Sequence, residues 1–124
     1  MPSQLTKLKL IKGDLTKEGL DLDQNDEIEL SENLDVIFHC AANVTFEQTL
    51  KESVNFNVNG TLRILQLAAK TRNLSVFIYI STAFSQCQVD VLEEKHYTAP
   101  YNPYGIIHLT SFLNDDILET FTRK

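Results

Sequence analysis

The sequence predicts an α/β fold on a parallel sheet, and three features of its apolar pattern carry that expectation. Two apolar runs of strand length, "DVIFHCAA" and "VFIYI", lack the polar alternation of a half-exposed strand. Such runs suit parallel strands buried on both faces. Between them, Leu50, Val54, Val58, Leu62, Leu65 and Ala69 recur every three or four positions, which marks one face of a helix. Strand, helix, strand in this order argues for a parallel sheet with helices on its faces.

Each element follows in order. "KLKLIKGDL" alternates Leu8 and Leu10 against Lys7 and Lys9 and ends at Gly13-Asp14, a short strand followed by a loop. From Asp23, an N-capping aspartate, "DQNDEIELSENL" gives a helix of about two turns. The strand of "DVIFHCAA" comes next, then the helix from about Thr49 to Thr71, then a second buried strand from Val76 to Ile80. Residues 86–109 hold Pro100, Pro103 and Gly105 and read as loop. Helical spacing returns over 110–122 through Phe112, Leu113, Ile117, Leu118 and Phe121. The 124 residues read as one partial domain, without internal repeats.

Composition narrows the function. A formal charge of −6, with no basic cluster, disfavours nucleic acid as a partner. Cys40 and Cys87 stand far apart without a CxxC, so neither a disulfide framework nor a metal site is suggested, and a reducing intracellular compartment is the simplest reading. No apolar run approaches the ~20 residues of a membrane span, so no membrane segment is expected.

In open α/β sheets ligands bind outside the carboxyl ends of the strands. That rule singles out Gly13-Asp14, His39-Cys40-Ala41-Ala42 and Ser81-Thr82-Ala83. Asp14 can accept a hydrogen bond from an exocyclic amine or a ribose, or cap its own turn. Ala41 and Ala42 let a flat ligand or a diphosphate approach the backbone, or serve tight helix–sheet packing. His39 is either a general acid or a structural hydrogen-bonding residue. Asn57 and Gly60 are locally unfavourable inside a helix, and such violations gather at functional sites or close contacts. Ser81 and Thr82 can bond a substrate carbonyl, or satisfy orphan backbone groups at a strand end.

Taken together, "GDL", "DVIFHCAA", "NVNGT" and "VFIYISTAF" resemble the extended short-chain dehydrogenase/reductase superfamily. Within it, "FHCAANVTF", "LKESVNFNVNGTLRILQLA" and "FIYISTAFSQC" are most similar to fatty acyl-CoA reductases, with "EEKHYTAPYNP" fitting insect-type members. The resemblance implies a partial Rossmann-like, doubly wound parallel sheet whose strands correspond to the third, fourth and fifth of the parent fold. It implies NADPH as cofactor and long-chain fatty acyl-CoA as substrate, reduced to a primary alcohol. Asp14 and Leu15 would lie by the adenine, and Cys40, Ala41 and Ala42 would line the cofactor trough. Asn57 would hold the backbone of the catalytic region. Thr82 would stand beside the reacting carbonyl, with Ser81 as second choice. An intracellular parent enzyme at the endoplasmic reticulum or peroxisomal membrane also follows from it.

Two parts of the family pattern are missing from these residues: the Gly-rich diphosphate turn and the Tyr-x-x-x-Lys pair. Tyr104 is followed four positions later by His108, and it reads as a loop residue before the last helix. The first two strands of the parent sheet are missing as well. The sequence therefore reads as an internal fragment, inactive in isolation and weak or unable to bind NADPH. Another extended reductase, acting on a sugar nucleotide or a carrier-bound thioester, and a non-enzymatic fragment that associates through open sheet edges are the alternatives.

Overall fold

A computed structural model describes residues 5–45 and 47–122. Its sheet has two parallel strands, β1 (Val36–His39) and β2 (Val76–Tyr79), paired in register from Val36↔Val76 to His39↔Tyr79. The Ile80 N–H donates to the His39 carbonyl at 2.9 Å, so the ladder runs one residue beyond the strand. Both strands thus deliver their following segments, Cys40–Ala42 and Ser81–Ala83, at the same end of the sheet.

Helix α1 (Gln24–Asn33) precedes β1 and is capped by Asp23, whose carboxylate accepts from the Asp26 N–H at 2.9 Å. The crossover between the strands is one long helical rod. It starts as α2 (Leu50–Ser53), loosens into a π-helical stretch (Val54–Asn59) and tightens again as α3 (Gly60–Lys70). Thr49 and Glu52 close a capping box at its start, each satisfying a backbone N–H of the other. The rod carries most of the core: Val54, Leu67 and Ala68 are buried on it, and Leu20 is buried as well.

Leu20 belongs to an uncommon turn, with Gly19, Leu20 and Asp21 at φ of 60°, 62° and 52°. A left-handed leucine costs about 1–2 kcal/mol. Burial of the side chain, together with a 2.7 Å hydrogen bond from the Asp14 N–H to the Leu20 carbonyl, offsets that cost. The turn is thereby fastened directly beneath Gly13-Asp14.

Four expectations are corrected. Residues 8–14 form no strand, and Leu10 is 97% exposed; a strand exists through its ladder, and among the described residues none pairs with this segment. Neither β1 nor β2 is buried on both faces. Phe38 is 65% exposed, and Val36, Val76, Tyr79 and Ile80 are exposed too, because a pair of strands covers little of its own faces. The segment expected to be loop through 109 contains α4 (Pro103–Phe112), so Tyr104 is a helical residue rather than a loop residue. Asn102 caps α4 through its side chain and Pro103 opens it, a start signal present in the sequence. Lastly, the helix expected over 110–122 is broken. Leu113 ends α4, and Asn114 starts α5 (Asp115–Thr122) by accepting from the Ile117 N–H at 3.1 Å.

Candidate functional site

The site is built around the π-helical stretch. A π turn admits an extra residue per turn and turns side chains off the regular helical stripe. Here it carries Asn55, Asn57 and Asn59, two residues apart. Asn57 reaches the loop after β1 with both ends of its carboxamide. Oδ1 accepts from the Asn43 N–H at 2.8 Å, and Nδ2 donates to the Asn43 carbonyl at 3.0 Å. The loop carrying Cys40, Ala41 and Ala42 is therefore fixed one residue past the alanines, while all three remain exposed.

One turn further along the rod, the Thr61 hydroxyl donates to the Asn57 carbonyl at 2.7 Å. Its oxygen in turn meets His39 Nε2 at 3.0 Å, so His39 is the donor and carries its proton on Nε2. His39 is 4% exposed, and its ring stacks on Tyr79 with centroids 5.3 Å apart. Burial lowers the His39 pKa, which favours the neutral ring. Of the two roles open to His39, this geometry is the structural one: the ring braces the rod through Thr61.

Asp14 also takes a definite role. Its Oδ1 accepts from the Thr16 hydroxyl at 2.7 Å and from the Thr16 N–H at 2.8 Å, a local turn cap. These bonds, the hydroxyl first, hold the carboxylate below its usual range. Both fall on Oδ1, which leaves Oδ2 for an outside donor. Leu15 sits against Gly60, where an added Cβ would stand 3.2 Å from the Leu15 Cβ. Gly60 is thus explained by the close approach of this turn to the rod. A cavity of about 190 Å³ lies under the turn, lined by Leu20, Leu22, Leu30, Ile64 and Leu67 with residues 13–15.

Thr82 caps the short turn Ala83–Gln86 by accepting from the Phe84 N–H at 3.2 Å, and both Ser81 and Thr82 are exposed. They emerge beside Cys40–Ala42 through the shared strand register. Close by, Asn57, Thr61, Leu62, Tyr79, Tyr104 and Ile107 help line an apolar cavity of about 320 Å³ between the rod, β2 and α4. The structure thus gathers Asp14 and Leu15 on one flank of the rod and Cys40–Ala42 at its π stretch, with Ser81 and Thr82 at the adjacent strand end. Asn43, Thr61 and Arg63, which hold these pieces, escaped the sequence reading. The three asparagines spaced by two in a helical segment were the available sign.

A family model described as Male sterility protein, of the NAD-binding class, matches residues 2–124. The chain belongs to this family. It is 38% identical over 124 residues to CG8306 of Drosophila melanogaster, named as a candidate fatty acyl-CoA reductase. It is 37% identical over 123 residues to fatty acyl-CoA reductase 2 of Mus musculus, and 34% identical over 123 residues to fatty acyl-CoA reductase 1 of Xenopus laevis. These alignments cover 99–100% of this chain and 24% of each relative, so the chain spans about a quarter of their length. The resemblance read from the motifs is borne out, and a nicotinamide cofactor is the ligand class of the family. The residues present fit such a group: small side chains open to solvent at Ala41-Ala42 past the end of β1, and an acceptor carboxylate at Asp14 on the flank of the rod. Among the described residues, no helix is long and apolar enough to cross a membrane.

Proposed function

We propose that the protein carrying this segment is an NADPH-dependent fatty acyl-CoA reductase that converts long-chain acyl-CoA to a primary alcohol. The observation that carries the reading is the match, along the whole chain, to relatives named for that activity. In this reading β1 and β2 correspond to the fourth and fifth strands of a Rossmann sheet. In such a sheet further strands would pair at the open edges of β1 and β2, and helices would pack on their exposed faces.

Asp14 and Leu15 serve the adenine, and Cys40, Ala41 and Ala42 form one wall of the cofactor trough. Bound there, the cofactor supplies hydride. The chain's own residues orient the reactants. Thr82 offers a hydroxyl to the carbonyl oxygen that gains charge as it is reduced, with Ser81 beside it. Asn57 keeps the trough wall in place by holding Asn43 at both its N–H and its carbonyl. These 124 residues hold neither a Gly-rich diphosphate turn nor a Tyr-x-x-x-Lys pair. By themselves they are expected to leave acyl-CoA unreduced.

The test is to incubate the full-length protein with NADPH and a series of saturated acyl-CoA thioesters and to follow fatty alcohol by mass spectrometry. Alcohol formation with matching NADPH oxidation is the expected result. Turnover of a sugar nucleotide, with no alcohol from any thioester, would replace this reading with that of another extended reductase.

A further inference from the structure

Arg63, at the end of the first turn of α3, has a side chain only 11% exposed. Burying a guanidinium is costly unless its donors are met. The nearest carboxylate oxygen, Glu18 Oε1, is 3.8 Å away on a side chain 96% exposed, too distant and too wet to account for the burial. Neutral acceptors account for it. Nη1 donates to the Leu15 carbonyl at 2.8 Å and to the Asn55 carbonyl at 3.3 Å, and both Nη atoms reach Asn55 Oδ1 at 3.2 Å.

These acceptors belong to two different pieces of the site. Leu15 is in the turn that follows Gly13-Asp14, and Asn55 is in the π stretch that carries Asn57. The planar fork of an arginine can span acceptors on two segments at once, which the single ammonium of a lysine does poorly. The same turn already touches the rod at Gly60, where an added Cβ would come within 3.5 Å of the Leu15 carbonyl oxygen. The turn is therefore held by contact at Gly60 and by hydrogen bonds at Arg63.

We propose that Arg63 is a positioning residue for the adenine end of the cofactor site, fixing the Asp14–Leu15 turn on the π stretch through the Leu15 carbonyl. This rests on the reading that Asp14 and Leu15 meet the cofactor. It assigns Arg63 to cofactor affinity and not to the chemical step, since the residue touches neither Thr82 nor the segment around it.

The experiment uses the full-length protein, with NADPH binding followed by fluorescence titration and turnover by steady-state kinetics. In Arg63→Met the Kd and KM for NADPH should rise about tenfold or more, the effect of losing a hydrogen bond to a charged group. The kcat at saturating NADPH and the KM for acyl-CoA should stay at their wild-type values. Arg63→Lys should recover part of the loss. Gly60→Ala presses on the same turn at Leu15, keeps the Arg63 side chain and gains helix propensity. It should raise the NADPH Kd by a smaller factor, and Arg63→Lys, which keeps the charge but loses the fork, decides the matter if Arg63→Met does not fold. Unchanged NADPH affinity in the variants that fold overturns the inference, as does a parallel loss of kcat and both KM values, the mark of a merely structural role. A wild-type protein that fails to bind NADPH sinks the cofactor reading itself, and the inference with it.

Discussion

The two sides of the candidate site are held in different ways. On the flank formed by the Asp14 turn, the Asn43 loop and the π stretch, side chains grip backbone: Asn57 grips Asn43, Arg63 grips Leu15, and Asp14 grips Thr16. On the other flank Ser81 and Thr82 stand exposed at the start of residues 81–102, whose hydrogen bonds are nearly all between close neighbours in sequence. Preorganised donors and acceptors are what make a binding site precise. The proposed cofactor wall is therefore finished within these residues. The proposed catalytic hydroxyls are brought to the right end of the sheet but are not packed there.

The sharpest way to break this division is to remove the hydroxyl on the loosely held side. In the full-length protein Thr82→Ala should depress kcat about 10²-fold, the scale of losing one donor to a developing oxyanion, while NADPH affinity stays put. Wild-type turnover in that variant would exclude Thr82 and pass the role to Ser81.

Asn57 tests the tightly held side. Asn57→Ala deletes two hydrogen bonds and should weaken the local structure by about 2 kcal/mol, taking each bond at about 1 kcal/mol. Hydrogen exchange reads this directly, because the Asn43 amide should lose its protection while the Ile80 amide, bonded in the strand ladder, keeps its own. Asn57→Asp refines the result. It keeps an acceptor for the Asn43 N–H but sets a carboxylate oxygen against the Asn43 carbonyl. Unaltered exchange at Asn43 in both variants would mean that the loop is held by something other than Asn57.

His39 gives a smaller effect with a definite sign. Its pKa in the folded protein lies below the ordinary 6.5 because burial disfavours the charged ring. The unfolded chain thus binds the proton first as pH falls, and stability must decline from about pH 6.5 down to the lower folded value, then level off. The neutral ring's contribution is fully present above 6.5. His39→Gln, which can still offer a donor to Thr61, should flatten this slope in denaturation curves taken between pH 7 and 5. A slope that survives in His39→Gln would assign it to another group.

What the sequence revealed of all this was the local and the periodic. The helical rod was legible from its apolar spacing and its Thr49 start, β1 and β2 from their apolar runs, and Asn57 and Gly60 from their misfit with a regular helix. What could not be read were relations between distant segments. Leu8 and Leu10 alternate as a strand would, yet alternation supplies no partner, and residues 8–14 form no ladder. Burial of β1 and β2 was expected from side-chain type, whereas burial depends on what covers a face. Gly60 was visible as an anomaly, but its cause, Leu15, lies 45 positions earlier in the sequence. The break at Leu113–Asn114 was missed because Phe112, Leu113, Ile117 and Leu118 keep helical spacing across it, while Asn114 competes as an N-cap.

The smallest expected effect sharpens the contrast from outside the site. Lys70, at the end of α3, pairs with Glu27 on α1 at 2.6 Å, a shorter contact than any that Arg63 makes. Yet the Lys70 and Glu27 side chains are 59% and 37% exposed. Water competes for both ions and salt screens them, so such a pair contributes about 0–1 kcal/mol. Lys70→Met should therefore leave NADPH affinity unchanged and shift stability by less than about 1 kcal/mol, with the shift vanishing in high salt. A loss as large as that of Asn57→Ala would mean that the α1–α3 contact, and not the grip on backbone around the π stretch, holds this part of the fold together.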